Sequence, residues 1–410
     1  MVPSLAKRLL LVAVAACGAA DTNEVATADP NEVNQPSDPG APSSPTEEGG
    51  SPEAAPPDPG APQVRFIGRF DERDTRGPSC GWPGCRIVAR FEGTSLAVRL
   101  EERVQSWMEG APSEWDVTID GALRPKLVLS PGTADYVLAT SLPAGIHTVE
   151  LYKRSETQNG DTRFHRFDFG ASGKLLAPAP ARTRKIEIVG DSSVAGFGVE
   201  GTGDCEGPDW AARWQNFRKS AGARLAELVD ADLHGTVYSG KGVVKNIWRP
   251  DTVTMPMLYL RADALDPAST WDASKFVPDA IVVFLGGNDF AIGQPADDGI
   301  TSLGAFTDAY RTFVATLRAR APKAHIVLAT SPSVSDAQPV GRATRTNVLK
   351  ATRSIAAERK AAGDLGIEAF APGVATPQEL TACNGHGNVG FHDRVAKELA
   401  VIVRAKTGWN

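Results

Sequence analysis

Ser192 closes the turn Gly190-Asp191-Ser192 in the stretch Ile186–Gly198, and a hydroxyl there becomes a nucleophile if a base can take its proton. Acyl transfer also needs donors for the oxyanion. The candidates are the Ser192 N–H, the Gly240 N–H in Ser239-Gly240-Lys241-Gly242 and the Asn288 amide in Gly286-Gly287-Asn288-Asp289. Gly242 is the alternative if the glycine is misplaced by two. The base is sought among six histidines. His147 and His165 fall in strand patterns of the front half, and His234 and His325 in strands of the rear half. His392 falls beside the apolar face of the last helix, which suits burial. His386 lies in the glycine-flanked loop before that helix and is the candidate base. Asp191 and Asp289 sit inside motif turns, where backbone hydrogen bonding is their expected duty.

Elements must bring these residues together. Ile186, Ile188 and Val189 followed by glycine read as a strand delivering Ser192 at its carboxyl end. Trp214, Phe217, Ala221, Leu225 and Leu228 recur at helical spacing. Strands follow at Leu233–Ser239, Ala280–Leu285, His325–Thr330 and Ile367–Phe370. Helices carry Leu303, Phe306, Tyr310, Phe313 and Leu317, then residues 344–362, then Phe391, Val395, Leu399 and Ile402. Alternating strands and helices predict a three-layer α/β/α domain with a parallel sheet over residues 183–410. Ligands of such sheets bind at the strands' carboxyl ends, where Ser192, Gly240 and Asn288 all fall.

Residues 63–178 read differently. Short alternating runs such as Cys85–Phe91, Ser95–Leu100, Trp115–Asp120 and His147–Tyr152, with the turn signal Asp120-Gly121, predict about eight strands in an antiparallel sandwich of jelly-roll type. Cys80 and Cys85 bracket a short loop and are expected to form a local disulfide, with zinc as the rival reading.

The chain has 410 residues, 42% hydrophobic and 22% charged, with a formal net charge of -6. Lys7 and Arg8 precede an apolar run from Leu9 to Ala16, too short to span a bilayer and suited to a signal peptide over residues 1–17. Val14-Ala15-Ala16-Cys17 resembles a bacterial lipoprotein box, implying lipidation of Cys17, a membrane contact through that anchor alone, and an exported envelope or cell-surface location. An ordinary signal cut nearby is the alternative. Residues 18–62 hold nine acidic residues and neither Lys nor Arg. Such a Pro, Gly and Ser-rich stretch cannot bury a core and reads as a disordered tether spanning roughly 35–40 Å. From Gln63 onward 41 Lys and Arg face 40 Asp and Glu, a balance that argues against nucleic acid as partner. The sequence shows no metal-ligand spacing, phosphate loop or G-x-S-x-G elbow, so no cofactor is expected. A monomer is expected.

The four blocks Gly190-Asp191-Ser192, Ser239-Gly240, Gly286-Gly287-Asn288-Asp289 and His386 before the final helix resemble those of the SGNH hydrolases. Gly68-Arg69-Phe70, FEGTSLAV, VTIDG, LPAGIHTVELYKRSE and WDASKFVPDAIVVFLGGND extend the likeness to the family-two carbohydrate esterases, which deacetylate xylan and related polysaccharides. The resemblance covers Gln63 to the C-terminus. It implies nucleophile and base roles for Ser192 and His386, an oxyanion hole from Ser192, Gly240 and Asn288, and an acetylated polysaccharide as substrate. Esters of lipid or peptidoglycan, or glycan binding without catalysis, are the alternatives. The last block departs from the family's C-D-W-H-P-N. Asn384 stands where a carboxylate would orient the histidine, so Asn384 or a backbone carbonyl must hold the ring. Gly385 replaces a tryptophan that could stack on sugar, leaving Trp210 and Trp248 as the tryptophans nearest the loops in sequence, with core packing as the expected role of either. The remaining cysteines, Cys205 and Cys383, flank the serine and histidine loops and are expected to pair, with two separate thiols as the alternative.

Overall fold

In a computed structural model of the chain, the described residues are 60–106, 111–205, 213–296 and 299–410. The expected leader with Cys17, nearly all of the tether, and Trp210 lie outside them.

Residues 65–176 form two antiparallel sheets. One runs Arg65–Ile67, Arg86–Glu92, Ile146–Lys153, Glu114–Ile119 and Ala122–Leu123, with Lys174–Leu176 and Leu127–Val128 completing its two margins. The other runs Ser79–Cys80, Gly160–Asp168, Leu96–Val104 and Gly132–Ala139. Leu96–Val104 shows why such a strand forms: Leu96, Val98 and Leu100 are buried while the residues between them are part-exposed, the period of a half-covered sheet. Trp82, Phe91, Trp115, Val117, Val149, Leu151 and Phe164 fill the shared interior. Among the described residues eleven strands stand where about eight were expected, because several two- and three-residue pieces pair at sheet margins.

The rear half is a five-stranded sheet in the order Ala231–Val237, Arg184–Gly190, Ala280–Phe284, His325–Ala329 and Ile367–Phe370, every neighbouring pair parallel. Its faces separate by alternation. Ile186, Ile188, Val282, Phe284 and Val327 pack with the helices Ala221–Leu228 and Val389–Thr407. Val189, Ile281, Val283, Ile326 and Leu328 pack with Leu303–Arg320 and Thr344–Ala361. Burial on both faces explains the continuous apolar runs. The polar neighbour between Ile186 and Ile188 is buried as well. Glu187 is 3% exposed and accepts from Arg69 at 2.7 Å, Tyr259 Oη at 2.8 Å and Thr236 Oγ1 at 2.8 Å. Arg69 belongs to the front half, so this buried ion pair joins the two halves.

The helical spacing from Trp214 to Leu228 spans a break. Asn216 caps a short turn at Phe217–Lys219, and Ser220 Oγ accepts from the Ala223 N–H to start the helix at Ala221.

Candidate active site

Ser192 follows the strand Arg184–Gly190, which lies between Ala231–Val237 and Ala280–Phe284, at its carboxyl end, where parallel strands leave the sheet open. Its Oγ lies 2.9 Å from His386 Nε2, and His386 Nδ1 lies 3.0 Å from the Cys383 carbonyl oxygen. That carbonyl can only accept, so it fixes the proton on Nδ1 and leaves Nε2 free to receive the serine proton. The Asn384 side chain makes no hydrogen bond to the ring. That side chain is exposed, and the Asn384 N–H donates to Gly203 O at 2.7 Å. The short turn Cys383–Gly385, with Asn384 at a φ of 55°, places the carbonyl one residue earlier against the ring. The Phe197 ring packs 4.6 Å from the imidazole.

Burial pushes the His386 imidazole below its ordinary value of 6.5, opposed by the backbone groups of Cys383 and Asn384. The ring is therefore neutral near pH 7. The histidine's own contribution to the acid limb is expected to be lost as pH falls through its pKa, so that component should lie below 6.5. An NMR titration of the His386 ring beside a pH–rate profile checks this, and a ring titrating above 6.5 contradicts it.

The donors are unequal. The N–H groups of Ser192 and Gly240 make no hydrogen bond among the described residues. Gly240 has a φ of 81° in a turn closed by the Lys241 N–H on Tyr238 O at 3.3 Å. A positive φ at this third position is the type II geometry, which glycine adopts without strain. Gly242 is a poorer candidate, because its N–H donates to Asn246 Oδ1 at 3.1 Å. Asn288 Nδ2 donates to Lys241 O at 2.8 Å and to Asp191 Oδ2 at 3.2 Å.

Asp191 also accepts from the Ser193 N–H at 2.9 Å, and burial pushes its carboxyl up to about 6. Asp289 receives the N–H groups of Val243, Val244 and Lys245. Both acids brace turns.

Cys80 and Cys85 are joined by a disulfide, as are Cys205 and Cys383. The other histidines stand apart from Ser192. His147 meets Asp120 at 2.6 Å, His165 lies beside Glu101, His325 meets Glu368 at 3.1 Å, and His234 stacks on Phe276. His392 is buried, accepts from the Ala221 N–H at 3.2 Å, and is pushed down to about 3 by burial. Trp248 is 54% exposed rather than packed in the core as expected, and it stands next to Ile247, whose N–H donates to Gly240 O at 2.8 Å. Among the described residues no cluster of His, Cys, Asp or Glu could hold a metal ion.

Sequence reasoning missed Glu156. It comes from the front half, yet its carboxylate receives Ser239, the residue before Gly240. A run reading Lys-Arg-Ser-Glu carries no signal that it is buried.

Residues 66–180 match the family described as carbohydrate esterase 2 N-terminal, and residues 188–392, half of the chain, match the GDSL-like lipase/acylhydrolase family. A cellulase/esterase of Acetivibrio thermocellus is 29% identical over 360 residues, covering 86% of this chain and 40% of that protein. The chain thus spans well under half the length of that relative. An acetylxylan esterase/glucomannan deacetylase of Cellvibrio japonicus is 28% identical over 272 residues, covering 65% of this chain and 71% of its own. A family two carbohydrate esterase from Clostridium thermocellum, solved in complex with cellohexaose, superposes with a TM-score of 0.75 at 26% identity, covering 85% of this chain and 100% of that one.

Proposed function

The chain belongs to the GDSL-like lipase/acylhydrolase family and carries a carbohydrate esterase 2 amino-terminal domain, and from that membership we propose that it is a serine esterase removing O-acetyl groups from polysaccharides such as xylan. The observation that carries this reading is the 2.9 Å approach of Ser192 Oγ to a His386 ring whose other nitrogen rests on a carbonyl. Ser192 attacks the acetyl carbonyl carbon as its proton passes to His386 Nε2. The oxyanion is received by the N–H groups of Ser192 and Gly240, and by an Asn288 N–H that leaves its 3.2 Å contact with Asp191. His386 then protonates the departing sugar oxygen, and water, deprotonated by the same ring, releases acetate from Ser192.

The names of the relatives support a polysaccharide substrate, and so does the half-exposed Trp248 beside the Gly240 turn. Among the described residues nothing lies within 4 Å of where a Cβ at Gly385 would stand, which leaves room beside the histidine. Asn384 in place of a carboxylate would favour glycan binding without catalysis, and that alternative weakens because the Cys383 carbonyl stands at the ring's Nδ1. We extend the reading to a monomer of two domains, residues 63–178 and 183–410, tethered to the bacterial envelope through Cys17. The two disulfides accord with an oxidising compartment.

An ester series of increasing acyl length, beside acetylated xylan, tests the substrate. Acetate release from xylan is expected, with acetyl esters turned over at least about tenfold faster than octanoyl esters, since a pocket discriminates by about 1–3 kcal/mol even for small apolar differences. Equal turnover of long chains would favour a lipid ester, and no turnover at all would leave glycan binding.

A further inference from the structure

The strand Ile146–Lys153 runs out of the sandwich into Arg154–Asn159, six consecutive polar residues that are all buried. Buried polar groups are costly unless paired, so the partners show what the segment is for. Arg154 donates to Asp116 at 3.0 Å and to Gln215 O at 3.3 Å, and it pairs with Glu200, beyond the nucleophile turn. Glu156 reaches the other catalytic loop. Its Oε2 accepts from the Ser239 N–H at 2.6 Å, and its Oε1 accepts from Ser239 Oγ at 2.6 Å and Gln215 Nε2 at 3.0 Å. Charge-assisted bonds of this kind are about twice as strong as neutral ones.

Ser239 is the second residue of the turn that presents Gly240. The Ser239–Gly240 peptide is the unit whose rotation would re-aim the Gly240 N–H. Glu156 anchors its Ser239 side, and the Ile247 N–H on Gly240 O anchors the other. We propose that Glu156 is a positioning residue: it holds Ser239 so that the Gly240 N–H stays aimed at the oxyanion, which makes the sandwich a working part of the site. This rests on the esterase reading.

Glu156 faces Ser239 and Gln215 through its bonds, and Asp191, Lys153 and Tyr238 through their charge or ring. Burial pushes its carboxyl up to about 7, with the Ser239 bonds and Lys153 opposing and Asp191 adding. The carboxylate is present above that value and is lost as pH falls through it, so the wild-type acid limb contains a component that Glu156→Gln removes.

The experiment compares wild type, Glu156→Gln and Ser239→Ala in acetyl-ester kinetics and in phosphonylation of Ser192 by a fluorophosphonate. The reagent's endpoint counts folded sites, and its rate reports the oxyanion donors. Glu156→Gln is expected to label to the same endpoint, with kcat and labelling rate down about ten- to a hundredfold, approaching the loss of one donor. KM should stay within about twofold, and the component near pH 7 should vanish. Rates within twofold of wild type would overturn the proposal. If Glu156→Gln falls short of the endpoint, Ser239→Ala decides, because it removes one Glu156 bond and leaves the N–H. A threefold or larger fall in its labelling rate supports positioning, and an unchanged rate refutes it. Wild type that labels but turns over no ester would sink the esterase reading, while the labelling rates would still judge Glu156.

Discussion

Ser192→Ala and His386→Ala are each expected to lower kcat for acetyl esters by on the order of 10⁴–10⁶-fold, and the double variant to be no worse than either single one. The reason is that the two side chains act as a unit. A serine hydroxyl is a weak nucleophile without a base, and the imidazole at 2.9 Å has no task once the hydroxyl is gone. What survives comes from binding and the oxyanion donors, which both singles retain. Asn384→Gly serves as the contrast. Glycine keeps the φ of 55° accessible, and the Cys383 carbonyl still meets Nδ1. Its kcat should stay within a few-fold of wild type, since no side-chain contact to the ring is lost. A large fall in Asn384→Gly, or losses in the two singles that multiply in the double, would show the ring to be held in some other way.

That contrast also marks how far the sequence could be read. The parallel sheet was legible because its strands alternate with helical spacings and end in glycine or small polar turns. Ser192, Gly240 and Asn288 then fell at strand ends without further information. His386 was reachable by elimination among six histidines. What could not be read depends on contacts distant in sequence. Glu187 looks like the polar member of an alternating strand, yet Arg69, more than a hundred residues earlier, makes it a buried ion. The carbonyl that orients His386 belongs to the backbone, and residue type says nothing of where a carbonyl points. Ser220 sits within a periodic apolar pattern, and only its bond to the Ala223 N–H shows that the helix restarts there. Glu156 combines both difficulties, because its charge suggests surface and its partner lies in the other half.

The disulfide between Cys205 and Cys383 carries the second large expected effect, because it acts on stability and on the histidine together. It closes a loop of 178 residues, which the chain-entropy relation values at about 5 kcal/mol. The same relation gives about 2 kcal/mol for Cys80–Cys85, separated by five residues. Cys205→Ser should therefore lower unfolding stability more than Cys80→Ser in urea melts of unreduced protein. The catalytic consequence is local. Cys383 supplies the carbonyl under His386 Nδ1, its N–H donates to Gly198 O at 3.3 Å, and a Cβ at Gly198 would stand 2.3 Å from the Cys383 Cβ. The serine loop thus lies directly on the disulfide, and glycine at 198 permits the approach. Freed of its covalent tie, the turn Cys383–Gly385 keeps only backbone bonds, so kcat of Cys205→Ser should fall about tenfold or more well below its melting temperature, as expected for misplacement on the scale of 1 Å. The Cys80–Cys85 disulfide shares no hydrogen bond with the serine or histidine loop among the described residues, so Cys80→Ser should keep kcat within about twofold of wild type. Equal kcat in the two variants would show that the hydrogen bonds alone place the histidine and that the cross-link serves stability.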